Sequence, residues 1–153
     1  MPAARHPNRL HFGGVLSRIG LPSDGSPGGD RGHRVLLTAA AVQEAIPSLE
    51  GMAVSFAVSW DKHNCRQKCG IITHAEVMGD ELRVIGYLYD RDFPEVADEI
   101  RKGNMGMSWE ICDASVAEMN DDPWVLTHVT FTGAAILKRN KAAYRTTHIR
   151  LVE

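Results

Sequence analysis

The chain has no apolar run close to the ~20 residues that a helix needs to cross a bilayer. Its start, Met1-Pro2-Ala3-Ala4-Arg5-His6-Pro7, lacks the apolar stretch of a secretory signal, so a reducing cytoplasm is the expected compartment. Cysteine is scarce. Three residues, an odd number, argue against a disulfide framework. Charge is nearly balanced: the formal net charge of −2 offers nothing to nucleic acid. The glycine-rich stretch Gly25-Ser26-Pro27-Gly28-Gly29-Asp30 has no GK[ST] and no GxGxxG opening a helix, which excludes a phosphate cradle of either kind. What is present is ordinary for one soluble domain: 153 residues, 44% of them hydrophobic and 24% charged.

Residues 1–11 read as a flexible segment and 12–153 as a single domain. Strands are expected from Phe12 to Ile19, at Val35–Leu37, from Gly51 to Val58, Gly70 to Val77, Leu82 to Tyr89, Met107 to Met119 and Trp124 to Leu137. Met78-Gly79-Asp80-Glu81 is a hairpin signal. Thr38 suits the N-cap of a short helix over Ala39–Ala45 that Pro47 should stop. Asp92 and Glu95 suit a capping box for a second helix through Ile100, with Pro94 in its first turn and Lys102-Gly103 closing it. The glycine-rich segment Gly20–Gly32 reads as a long surface loop. The fold class is therefore mainly β with a few short helices (α+β), arranged as a small, partly closed β-barrel.

Three residues could carry nucleophilic hydrolysis. Ser108 follows Gly106-Met107, where a glycine lets a substrate approach the backbone. His63 lies in the polar loop Ser59–Lys68 and could take the hydroxyl proton near neutral pH. His128 interrupts the apolar run Val125–Phe131. Period two puts it on a face with Leu126 and Thr130, where it could orient the first imidazole. Glu110 competes for this third role, but, two residues from Ser108, it would share that strand face, which favours a structural or substrate-binding role nearby. Each of these residues also has a plain reading, as a turn serine, an exposed loop histidine or a sheet-surface histidine. A different chemistry is open to His63, Cys65, Cys69 and His74, whose types suit zinc, although no second cysteine pair follows.

Several runs together resemble the tailed-phage prohead maturation proteases. They are His63 with Cys69-Gly70-Ile71-Ile72-Thr73, the strand Leu82–Leu88, the helix before Gly106, Met107-Ser108-Trp109-Glu110, and Leu126–Leu137 with Lys141-Ala142-Ala143. That family is similar in fold to the herpesvirus assembly proteases, or assemblins. The resemblance implies a serine endopeptidase with Ser108 as nucleophile, His63 as general base and His128 at or near the third position. Many phage relatives carry an acid at that place, and assemblins carry a histidine. It implies oxyanion donors among the backbone N–H groups of Gly133–Arg139. It also implies work inside the prohead in the bacterial host cytoplasm, on scaffold, major capsid protein and the protease itself. No cofactor, nucleic acid or membrane is implied, and a homodimer is possible. Many relatives continue into a scaffold-like extension, whereas this chain stops at Glu153, as a stand-alone, processed or truncated protease would. A catalytically inactive capsid-assembly or scaffold-binding module is the alternative, and a small zinc-binding β domain a second one.

Overall fold

Alternation along the strands sets the sheet. In β5 (Glu81–Leu88), Leu82, Val84 and Leu88 are buried while Arg83 and Ile85 face out, the period of two that a pleated strand imposes. The computed structural model describes residues 5–26 and 33–153. Its other elements are β1 (Leu10–Arg18), β2 (Val35–Leu37), α1 (Ala39–Leu49), β3 (Ala53–Phe56), β4 (Lys68–Met78), α2 (Pro94–Arg101), β6 (Met105–Val116), β7 (Trp124–Lys138) and β8 (His148–Leu151). The eight strands make one sheet in the order β2-β7-β3-β4-β5-β1-β8, with β6 paired to β7. The sheet curls into a half-barrel, as the sequence pattern predicts.

The 15-residue β7 is the spine of the sheet. Its start pairs in parallel with β2 (Val35↔Trp124) and its end in parallel with β3 (Val54↔Ala134). Antiparallel β6 covers its other edge from Met105↔Lys138 to Val116↔Leu126. Phe12 and Leu16 of β1, Phe56 of β3, Leu82 and Leu88 of β5, Met107 of β6 and Phe131 and Ile136 of β7 fill the concave side. Helix α1 buries Ala41, Val42, Ala45 and Leu49, and its contacts fall mainly on β7. Among the described residues β6 has no strand on its second edge, so the half-barrel opens along it. Two bonds hold that seam from within: Trp109 Nε1 donates to Ser17 Oγ at 3.0 Å, and the Met107 N–H to Thr147 Oγ1 at 3.0 Å.

Four local expectations change. Helix α1 continues through Pro47 to Leu49 instead of stopping before it. Proline in a helix interior costs about 3 kcal/mol, but Pro47 sits in the last turn. Full burial of Leu49 stabilises by about 1.5–3 kcal/mol, and Ser48 Oγ accepts the Phe131 N–H, docking the helix end on β7. Helix α2 starts from Phe93, with no side-chain cap, instead of from a capping box at Asp92. The N–H groups of Asp92 and Phe93 both donate to the Tyr89 carbonyl, a backbone turn that makes the side-chain cap unnecessary. β8 lies in the tail left without an element in the sequence reading, and pairs with β1 through Gly14↔Ile149. β1 begins at Leu10, two residues before the expected strand start at Phe12. Residues 27–32 of the expected glycine loop lie outside the described residues.

The close pairing has a consequence at Gly86, which lies opposite both Phe12 of β1 and Ile72 of β4. A Cβ there would overlap the Ile71 carbonyl oxygen and stand 3.0 Å from the Phe12 ring. Gly86→Ala is expected to destabilise by about 2 kcal/mol or more, a fall of roughly 4–8 °C in Tm. Thermal unfolding followed by circular dichroism checks this. A Tm within a degree of the parent would mean the three strands can shift to admit a methyl group.

Candidate active site

Strand periodicity puts Ser108 and Glu110 on one face of β6, with Met107 and Trp109 on the other, in the core. Across the ladder Ser108 lies opposite Ala135 and Glu110 opposite Gly133. One strand further, Ala135 pairs with Ser55 of β3. The floor beside the two polar side chains is thus made of very small residues. At Gly133 this is required: a Cβ would come within 3.0 Å of Glu110 Oε2 and 3.1 Å of the Ala53 carbonyl oxygen.

Glu110 gathers three donors. His63 Nδ1 lies 3.0 Å from Oε1, Ser55 Oγ donates to the same oxygen at 3.3 Å, and Cys65 Sγ donates to Oε2 at 3.4 Å. The hydrogen bond from His63 does most to hold the Glu110 carboxyl below the usual carboxylate range. Burial pushes the other way by less, and the bonds from Cys65 and Ser55 add to the lowering. Burial, and then the Glu110 charge, push the Cys65 thiol up, so it stays protonated as a donor. A neutral imidazole that gives its Nδ1 proton to a carboxylate carries its lone pair on Nε2, the tautomer a general base needs.

His63, Ser108 and Glu110 line one cavity of about 750 Å³ at the open seam. Its walls include Ile111, Val116, Leu126 and Leu137, with Lys62, Lys141 and Arg145 among the charged residues. Among the described residues the Ser108 hydroxyl has no hydrogen-bond partner, so it is not joined to the His63 ring in this state. Such bonds are often long before substrate binds. The Lys138 and Arg139 N–H groups, within the segment expected to hold oxyanion donors, are engaged by the carbonyls of Trp60 (2.7 Å) and Asn104 (2.9 Å).

The structure brings His63 and Ser108 together but not His128. The His128 ring lies outside the cavity lining, with Nδ1 3.3 Å from Glu44 Oε1 on α1. The cause is a break in the expected period. Leu126 is buried, and burial resumes at Val129 and Phe131, so the parity of β7 reverses between them, next to a register shift against Ser115 and Val116. The position next to His63 is taken by Glu110. The possible zinc ligands separate: Cys69 Sγ is buried against the Val54 carbonyl, His74 Nδ1 is 3.5 Å from Glu50 Oε1, and His63 and Cys65 both face Glu110. Among the described residues no group of three His, Cys, Asp or Glu side chains is placed to hold a metal ion. Sequence reasoning missed Ser55, whose signal is a lone hydroxyl inside the apolar run Ala53-Val54-Ser55-Phe56.

The Glu110 carboxyl titrates lower in the folded chain than in the unfolded one. Its pairing therefore stabilises the fold fully above the ordinary carboxylate pKa of about 4.3 and is lost as pH falls through the lower folded value. Urea unfolding of the parent and Glu110→Gln between pH 3 and 7 should show the parent's advantage constant at the neutral end and shrinking in the acid range. A pH-independent difference would mean that the carboxylate charge is not what the three donors stabilise.

No family model matches the chain, and no curated protein does. Among solved structures it is similar to the KSHV protease in complex with a hexapeptide phosphonate inhibitor. That match has TM-score 0.56 and 13% identity, and covers 95% of this chain and 65% of that one. The chain thus spans just under two thirds of the KSHV protease. It also matches the bacteriophage T4 capsid assembly protease, with TM-score 0.49 and 13% identity, over 84% of this chain and 98% of that one. The fold is herpesvirus-protease-like, as the sequence resemblance implies.

Proposed function

We propose that this chain is a serine endopeptidase of phage head maturation, with Ser108 as nucleophile, His63 as general base and Glu110, rather than His128, as the group that orients the base. The observation that carries the reading is the 3.0 Å contact of His63 Nδ1 with Glu110 Oε1 in the cavity that Ser108 also lines. Ser108 Oγ attacks a peptide carbonyl carbon while its proton passes to His63 Nε2. Glu110 stabilises the resulting imidazolium. Collapse of the tetrahedral intermediate expels the amine, which takes the proton from His63, and water then releases the acyl group by the same steps in reverse.

The open edge of β6 beside Ser108 suits an extended peptide, which would add to it as a strand. The choice of scaffold and major capsid protein as substrates, and of the prohead as the place of action, rests on the sequence resemblance. The unengaged Ser108 hydroxyl favours a second reading, a non-catalytic module of the head that keeps the fold.

Incubation of the purified chain with cognate scaffold and capsid protein, alongside covalent labelling by a fluorophosphonate, tests the proposal. Ser108→Ala should lose labelling at residue 108 and about 10⁴-fold or more of the cleavage rate. Glu110→Gln should lose about 10²–10⁴-fold. His128→Ala should stay within about threefold of the parent, since its ring contacts only Glu44 among the described groups. Processing by Ser108→Ala at the parent rate would mean that another residue is the nucleophile, and a parent that neither cleaves nor is labelled would leave the non-catalytic module. A loss in His128→Ala as deep as that in Glu110→Gln would return the third role to the histidine.

A further inference from the structure

Trp60 holds a backbone conformation that bulky side chains avoid. Its φ is 59°, in the left-handed region, where a non-glycine residue other than asparagine or aspartate is an outlier. Such a conformation persists only when its surroundings over-determine it. Three contacts do so. The indole stacks on Phe56 of β3 at 5.1 Å between ring centres and 22° between planes, and Phe56 in turn meets Phe93, the residue before α2, edge to face at 5.5 Å. The Trp60 N–H donates to the Ala57 carbonyl at 2.8 Å. The Trp60 carbonyl accepts the Lys138 N–H at 2.7 Å, at the end of β7.

His63 comes three residues later. On its far side the chain is pinned again, by a turn in which the Gln67 N–H donates to the Asn64 carbonyl at 3.0 Å and the Arg66 N–H to Asn64 Oδ1 at 3.1 Å. The base is thus carried on a short span between two anchors, one of them strained. Lys138 also leads into the turn whose Asn140 and Lys141 form another wall of the cavity. A single carbonyl therefore ties the loop carrying the base to the turn that lines the cavity beside it.

We propose that Trp60 is the positioning residue for His63: its left-handed backbone, locked by the stack on Phe56 and the bond from Lys138, sets the direction in which the loop delivers the imidazole to Glu110. This rests on the peptidase reading above, and Trp60 itself touches none of the reacting groups.

The test compares Trp60→Ala and Trp60→Phe in the full chain, with two readouts. One is cleavage kinetics. The other is the rate at which trypsin cuts after Lys62, located by mass spectrometry and taken relative to its cuts elsewhere, which needs no activity of the chain. Trp60→Ala should lower kcat about 10–100-fold with KM within about threefold, because a base displaced by an ångström spoils the chemical step more than binding. It should also be cut after Lys62 several-fold faster, relative to cuts elsewhere. Trp60→Phe, which keeps a ring to stack, should restore both readouts to near the parent's. Parent-like kcat and Lys62 cutting in Trp60→Ala would overturn the inference. So would equal damage in both variants, or faster cutting after Lys62 with unchanged kcat. If the parent cleaves no substrate, the peptidase reading fails, and the Lys62 readout alone decides whether Trp60 holds the loop.

Discussion

A carboxylate withdrawn from water stays charged only if donors replace the water it loses, and Glu110 is supplied by three donors from two elements. The first is a strand hydroxyl at Ser55; the others, His63 and Cys65, come from the loop between β3 and β4. Because the side chain is only 17% exposed, these bonds act in a medium where they are worth more than at the surface. The orientation of His63 follows from that need. An imidazole serving a buried carboxylate has its tautomer and ring plane decided together, and the lone pair on its second nitrogen is a consequence.

That carboxylate can be where it is only because of how β6 meets β7. Two successive same-face positions on β6 carry the hydroxyl and the acid, while Gly133 and Ala135 on β7 leave the space that larger side chains would fill. The next strand, β3, brings Ser55 into the same row. The loop that leaves β3 after Phe56 then needs only a short excursion to return His63 over the acid. Three neighbouring strands thus specify the site, and the apolar core on their opposite face holds them in register.

What was legible beforehand follows the same physics. Period-two burial and the Gly79 hairpin, with Gly79 at φ 62°, are local signals, and they located β4 and β5 to within a few residues. His63 and Ser108 stood out because their types carry chemistry and their neighbours are polar or small. His128 stood out for the same reason, but its direction depends on a parity reversal in β7 that no local signal announces. A single extra residue against the partner strand turns a side chain to the other face. Glu110 was visible as a competitor only through its spacing from Ser108. Its partnership with His63 spans 47 residues of sequence and exists only once the sheet has formed. Ser55, Trp60 and β8 were out of reach for that reason too, since their roles lie in contacts rather than in residue type.

The exchange of histidine for glutamate beside the base alters where the chemical difficulty of the proposed reaction lies. A neutral imidazole would stabilise the His63 imidazolium weakly, and a slow step would follow from that alone. A carboxylate removes this reason for slowness. What remains is alignment: the Ser108 hydroxyl is not bonded to His63, and the Lys138 and Arg139 N–H groups are held by other carbonyls. Ser108 lies on β6, whose second edge pairs with no strand among the described residues and so could take a peptide. A substrate strand laid on that edge would pair with β6 backbone beyond Met107, whose N–H Thr147 holds, and would meet the cavity residues Asn140 and Lys141. Binding energy along the peptide would then be used to bring hydroxyl, base and oxyanion donors into line. Under the proposed reaction such a site would discriminate by whether a segment is extended and accessible at least as much as by any one side chain, as would suit a protease acting on neighbours packed at high local concentration.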